Sequence, residues 1–267
     1  MSDAPIGIFD SGVGGLTVER AIRRRLPAES TVYLGDTARV PYGPKSPETV
    51  RRYAREAAAF LLSCDVKLIV IACNTATARA ADDVAARVAT PVVGVIEPGS
   101  REAVRRSRTG RIGVIGTRGT IESGCYERLI KELWPEAVVV ATPCPLFVSL
   151  VEEGWLDGEV ARLTARRYLE PLLERDIDTL VLGCTHYPLL APMLSEVARG
   201  VELIDSAEAT AAAVDGRLGE LGLRSTTEAP AARYYVTEDT ERFREVAELF
   251  LGKRVGSLER VSLSSSA

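Results

Sequence analysis

Leu68-Ile69-Val70-Ile71-Ala72-Cys73-Asn74-Thr75 reads as an apolar strand that stops at a small residue, a cysteine and two polar residues. A helical pattern follows over 76–88. The same order returns in Thr179-Leu180-Val181-Leu182-Gly183-Cys184-Thr185-His186, followed by Tyr187-Pro188-Leu189-Leu190. An aliphatic run that gives way to turn residues and then a helix is the repeating unit of an α/β sheet. Working outward, further short apolar runs lie at 6–9, 31–34, 91–95, 111–116, 137–140, 201–204 and 233–236. Stretches 47–63, 121–133 and 158–174 between them carry apolar residues at helical spacing. This alternation predicts an α/β fold with mostly parallel sheets. The strands are apolar throughout, as burial on both faces requires.

A looser repeat accompanies the cysteine segments. Ile6-Gly7-Ile8-Phe9-Asp10-Ser11 is echoed by Ile112-Gly113-Val114-Ile115-Gly116-Thr117. Two similar α/β domains with corresponding strand ends facing each other would produce this. So would chance likeness among strand-turn-helix units. The two-domain division is drawn as 1–97 plus 209–267 for the first and 98–208 for the second. The strand and helix at 233–252 follow a loop rich in Ser, Thr, Ala and Pro, and are expected to return to the first domain. The tail 261–267 is expected to fray.

The 267 residues suffice for one large domain or two smaller ones. A hydrophobic content of 46% with 26% charged residues is that of a globular protein. The net charge of −4 argues against general nucleic-acid or membrane-surface binding, which relies on clustered positive charge. Arg23-Arg24-Arg25 fits a solvated helix face. No secretory signal is visible, and no apolar run approaches the roughly 18 residues that span a bilayer. Five cysteines, an odd number, point to free thiols in a reducing cytoplasm. The single histidine, His186, excludes sites built on several histidines. A zinc site would need Cys73, Cys184, His186 and another ligand, without any C-x-x-C pair. No metal is expected.

Ligands of open α/β sheets bind beyond the carboxyl ends of the strands, which is where both cysteines should lie. Helix N-termini there lower a thiol's pKa and offer N–H groups to a carboxylate. Asn74, Thr75 and Thr185 add side-chain donors. Two thiols suit a reaction that removes a proton from one face of a carbon and returns it on the other. Cys64, Cys125 and Cys144 lack matched polar flanks and read as packing residues.

Asp10-Ser11-Gly12-Val13-Gly14-Gly15 forms a turn after the first strand. It is not a nicotinamide fingerprint, because Thr17 stands at the third glycine position. Asp10 and Ser11 could orient a thiol, bind an ammonium or cap the following helix. Gly35-Asp36-Thr37-Ala38-Arg39-Val40-Pro41-Tyr42-Gly43-Pro44-Lys45-Ser46 is a loop over the same sheet edge. Tyr42 and Gly43 either lend backbone N–H groups to an anion or form an ordinary turn. His186 could poise Cys184 or be structural. Glu152-Glu153-Gly154 reads most simply as a solvated carboxylate pair.

Taken in order, Ile8-Phe9-Asp10-Ser11-Gly12-Val13-Gly14-Gly15-Leu16-Thr17-Val18, Leu34-Gly35-Asp36-Thr37, Pro41-Tyr42-Gly43, Ala72-Cys73-Asn74-Thr75-Ala76 and Leu182-Gly183-Cys184-Thr185-His186-Tyr187-Pro188 resemble the bacterial glutamate racemases of the aspartate/glutamate racemase family. The resemblance runs from about residue 6 to residue 210. It implies two flavodoxin-like, three-layer domains with the active site in the cleft between them. It implies interconversion of L- and D-glutamate without pyridoxal phosphate or metal, supplying D-glutamate for peptidoglycan. By matching position, Cys73 and Cys184 would be the catalytic acid/bases, Asp10 would assist Cys73, and His186 would assist Cys184. Glu152 would be an auxiliary acid. Ser11, Tyr42, Gly43, Asn74, Thr75, Thr117, Thr120 and Thr185 would hold glutamate. A homodimer is implied as well. Racemisation of aspartate, and a glutamate-sensing or inhibitory binding protein, are the competing readings.

Overall fold

Parallel neighbours cannot be joined by a tight turn, so each apolar run in this chain is followed by a crossover segment. The computed structural model describes residues 2–238, 241–252, 255 and 258–263. Its elements are β1 (Ile6–Asp10), α1 (Leu16–Arg25), β2 (Thr31–Gly35), a 3-10 turn (Thr37–Arg39), α2 (Pro47–Leu62), β3 (Leu68–Ile71), α3 (Asn74–Ala85) and β4 (Val92–Gly94). Then follow α4 (Ile96–Arg106), β5 (Arg111–Gly116), α5 (Arg118–Ile121), α6 (Cys125–Leu133), β6 (Val138–Pro143), α7 (Leu146–Glu152), α8 (Glu159–Leu173) and β7 (Thr179–Gly183). A 3-10 turn (Tyr187–Leu190), α9 (Ala191–Val197), β8 (Glu202–Asp205), α10 (Ser206–Glu220), β9 (Ala232–Val236), α11 (Glu241–Leu251) and β10 (Leu258–Arg260) complete the order.

The chain divides into two units, 1–95 with 207–267 and 96–206. The first holds a sheet of order β10-β9-β2-β1-β3-β4, the second a sheet of order β6-β5-β7-β8. Every pairing among the described strands is parallel. The expectation of a mostly parallel α/β fold holds in full. Central strands β1, β2, β3 and β7 are buried along their whole length, whereas the edge strands β4, β6 and β8 are partly exposed. In the first unit, Phe9, Leu34, Ile69 and Ile71 of the sheet pack against Val50, Ala54 and Leu61 of α2 and Ala76, Ala80 and Val84 of α3. Burial of the Phe, Leu, Ile and Val side chains among these contributes about 1.5–3 kcal/mol each before entropy is counted.

The helical pattern at 121–133 resolves into two helices. Gly124 adopts a left-handed conformation (φ 68°) between α5 and α6, where a side chain would be strained. Strand β9 pairs with β2 and brings the C-terminal segment back to the first sheet, as expected. Strand β10, with no apolar run to announce it, adds the outer edge through β9. Of the tail expected to fray, 264–267 lie outside the described residues. No helix among the described residues is long and apolar enough to cross a membrane.

Candidate active site

The register of each sheet fixes where its cysteine emerges. Ile71 of β3 lies opposite Phe9 of β1, so two residues further on Cys73 is level with Ser11. Gly183 of β7 lies opposite Gly116 of β5, so Cys184 is level with Thr117. Both cysteines therefore leave a central strand at its carboxyl end, beside a hydroxyl residue at the end of the neighbouring strand.

In the first unit Cys73 is the N-cap of α3, and its Sγ accepts from the N–H of Ala76 at 3.4 Å. The thiol donates to Ser11 Oγ at 3.5 Å. Cys73 is buried, with 6% of its surface exposed. Buried Asn74 and Thr75 form the first turn of α3, where backbone N–H groups have no intrahelical acceptor. Asp10 is fully buried, and its Oδ2 accepts from the N–H of Gly12 at 2.9 Å. It does not cap α1, whose N-cap is Gly15 without any side-chain bond. Gly15 is required by space: a Cβ there would fall 2.5 Å from Asp10 Cβ and 3.0 Å from Ala72 Cβ.

The loop after β2 sits on this turn. Tyr33 Oη donates to Gly12 O at 2.8 Å, and Asp36 N donates to Asp10 O at 3.0 Å. Tyr42 directs its ring inward. Its hydroxyl donates to Asp36, and burial followed by the Asp36 charge raises its pKa far above the ordinary phenol range. Tyr42 is thus the anchor of the loop, and only its backbone and that of the half-buried Gly43 are left to meet an anion.

In the second unit a relay leads to Cys184. His186 Nδ1 lies 3.9 Å from Cys184 Sγ, and His186 Nε2 lies 2.9 Å from Glu152 Oε1. Burial opposes the imidazolium, but the bonds to Cys184 and Glu152 outweigh it and push the pKa up to about 10. Glu152 is therefore not a mere solvated carboxylate, although its side chain is 38% exposed. A helix N-terminus lies beside each thiol, but the two helices differ in kind: Cys73 caps an α-helix, and Cys184 precedes a 3-10 helix. His186 caps this 3-10 turn with Pro188 in its first positions, and α9 starts only at Ala191. Thr117 caps α5 by accepting from Thr120 N at 3.3 Å, and the two hydroxyls are 3.0 Å apart. Thr185 is buried beside Cys184. None of the five cysteines is joined in a disulfide. Buried Cys144 has its pKa raised by burial and then by Cys184. Among the described residues no cluster of His, Cys, Asp and Glu could hold a metal ion.

The Asp/Glu/Hydantoin racemase family matches residues 14–214, a stretch that includes both register-matched cysteines. The chain belongs to that family. This racemase is 55% identical over 263 residues to the glutamate racemase of Geobacter metallireducens, with 97% of each chain covered. It superposes on the glutamate racemase of Francisella tularensis in complex with D-glutamate with a TM-score of 0.94 at 40% identity, covering 99% of this chain and 100% of that one. For the Thermus thermophilus glutamate racemase in complex with β-chloro-D-alanine the TM-score is 0.89 at 50% identity, with 98% of each covered.

The structure groups the site residues anticipated from the racemase's sequence by unit. Asp10, Ser11, Tyr42, Gly43, Cys73, Asn74 and Thr75 lie in the first, and Thr117, Thr120, Glu152, Cys184, Thr185 and His186 in the second. Sequence reasoning assigned no role to Asp36, Arg39, Glu56 or Thr237. Asp36 is fully buried, accepts from Arg39 Nε at 2.7 and 2.9 Å and from Thr237 Oγ1 at 3.0 Å, and Arg39 also pairs with Glu56. The segment Leu34-Gly35-Asp36-Thr37 flagged the carboxylate, but Thr237 lies about 200 residues away, too distant in sequence to be read from spacing.

Proposed function

We propose that this racemase interconverts L- and D-glutamate by moving the α-proton between two thiols, Cys73 and Cys184. The observation that carries the reading is the pair of cysteines at equivalent register, each beside a hydroxyl at a strand's carboxyl end. One sulfur, as thiolate, takes the α-proton. The other, as thiol, returns a proton to the opposite face of the planar carbanion. Each sulfur then holds the state that the other began with, so the reverse direction uses the same pair. The charge that builds on the substrate carboxylate falls to donors of fixed position: the first turn of α3, the 42–43 backbone, and Thr117, Thr120 and Thr185. Asp10 serves the Cys73 side, and Glu152 with His186 serves the Cys184 side. The thiols supply the acid/base chemistry, with no call for pyridoxal phosphate or metal.

The likeness to a relative crystallised with D-glutamate supports glutamate over aspartate as substrate. We further propose that the enzyme works in the cytoplasm as a homodimer and supplies D-glutamate for peptidoglycan. The deciding experiment runs each glutamate enantiomer in heavy water, beside aspartate. Deuterium should enter the α-carbon chiefly in the inverted product, and aspartate should turn over far more slowly. Retained α-protium in the product would eliminate separate acid and base. Aspartate turnover equal to that of glutamate would remove the substrate assignment.

A further inference from the structure

The loop that carries Tyr42 and Gly43 is held from an unexpected direction. Beyond its 3-10 turn the loop has no regular structure, so its position depends on the bonds at its root. Several of these come from the end of β9, some 200 residues later in the chain. Thr237 N donates to Gly35 O at 3.1 Å. Thr237 Oγ1 donates to Asp36 Oδ1 at 3.0 Å and accepts from Ala38 N at 2.9 Å. Thr37 Oγ1 donates to Glu238 O at 2.6 Å and accepts from Glu238 N at 2.8 Å. Each threonine hydroxyl is used in both directions, and the two bind across the same junction.

These bonds reach the substrate loop through Asp36. Its carboxylate is fully buried and takes Arg39, the Tyr42 hydroxyl and Thr237 together. Arg39 is itself fixed by Glu56 and by the face of Tyr53, 4.0 Å from its guanidinium carbon. Within this set Thr237 is the member supplied by the returning strand, and its hydroxyl touches both the carboxylate and the backbone of the 3-10 turn. We propose that Thr237 is a positioning residue. Through Asp36 and Ala38 it sets the placement of the 42–43 backbone that receives the substrate's carboxylate. This rests on the reading of Tyr42 and Gly43 as glutamate-binding.

Thr237→Val keeps the branched shape that suits a strand end and removes both hydroxyl bonds. Thr237→Ser keeps the hydroxyl and loses only a methyl group. For Thr237→Val the KM for glutamate should rise roughly 5–30-fold, with kcat within about 3-fold, as expected when only part of what one bond to a charged group and one neutral bond contribute is passed on to the loop. Thr237→Ser should stay within about 2-fold of the unaltered chain on both. Amide exchange over 36–46, followed by mass spectrometry, should quicken in Thr237→Val and not in Thr237→Ser. An unchanged KM in the valine variant, or equal damage by valine and serine, overturns the proposal. If Thr237→Val does not fold, Thr237→Ala removes the same hydroxyl with a smaller side chain. A raised KM there supports the proposal, and an unchanged one overturns it. Failure of the unaltered chain to racemise glutamate would sink the functional reading alone, since loop exchange still judges the clamp.

Discussion

The two cysteines occupy equivalent places in two sheets, yet their surroundings differ in kind. Cys73 meets the N-terminus of an α-helix, an Ala76 N–H and the Ser11 hydroxyl. Cys184 precedes a 3-10 turn and meets an imidazole that is itself held by a carboxylate. The first environment is written largely into backbone, with its dipole along α3. The second is written into two side chains. One strand-turn unit can thus prepare a sulfur in two ways. They differ in how easily they are undone: a point substitution can strip the cation from Cys184, but none can strip the helix from Cys73.

The largest expected effect treats the two sulfurs as equals. Cys73→Ser and Cys184→Ser should each lower kcat for glutamate by roughly 10²–10⁴-fold, the range for losing a positioned acid or base. Both directions should suffer, because in the proposed mechanism each sulfur is base in one direction and acid in the other. A single variant that racemises at the parent rate would end the equivalence and the two-base reading with it. Cys144→Ala is the control. Its buried thiol is held protonated by burial, and its removal should leave the reaction largely intact.

Most of this comparison was legible in the sequence because its signals are local. The β3 and β7 runs end in Cys at the same point of the strand-turn unit, and Ser11 and Thr117 follow matching runs. Three features were not legible. The helix start after Cys184 can be read from Pro188, but not its 3-10 kind, because Pro188 suits the first turn of either kind of helix. The Asp36 carboxylate was visible, but Thr237 reaches it by chain return and Glu56 reaches it only through Arg39, and no spacing rule pairs the residues that follow β2 and β9. Glu152 was read from pattern as solvated for the same reason: its bond to His186 links α7 to the end of β7.

The side-chain half of the comparison can be broken by pH. In the folded chain His186 has a pKa raised from 6.5 to about 10. The folded state therefore holds a proton between those values that the unfolded state releases. Its stabilising contribution is complete below about pH 6.5 and is lost as pH rises through about 10. Urea midpoints at pH 6, 8 and 10 should fall more steeply for the unaltered chain than for His186→Asn. Equal slopes would mean that the imidazole is neutral in the fold. Glu152→Gln removes one of the two groups that raise this pKa, so the alkaline limit of activity should move to lower pH. Its kcat/KM at neutral pH should drop roughly 10-fold, less than either cysteine replacement.

The smallest effects test whether the register match itself matters. Ser11 and Thr117 stand level with the two sulfurs, so Ser11→Ala and Thr117→Ala remove the hydroxyl from equivalent points. Ser11 accepts from a thiol at 3.5 Å, a long and weak bond, and Cys73 keeps its contact with Ala76 N when the hydroxyl goes. Thr117 accepts from Thr120 N and lies against the Thr120 hydroxyl, so its loss loosens the short α5 cap. A neutral hydrogen bond of this kind contributes about 1 kcal/mol, which sets an expected fall in kcat/KM of roughly 5-fold for each. The fall should appear mainly in KM, since both hydroxyls are read as holding glutamate and neither moves the proton. If Ser11→Ala instead lowered kcat as far as Cys73→Ser, the serine would be part of the acid/base apparatus. The backbone alone would then not be what prepares Cys73, and the contrast between the two halves would have to be redrawn around side chains on both sides.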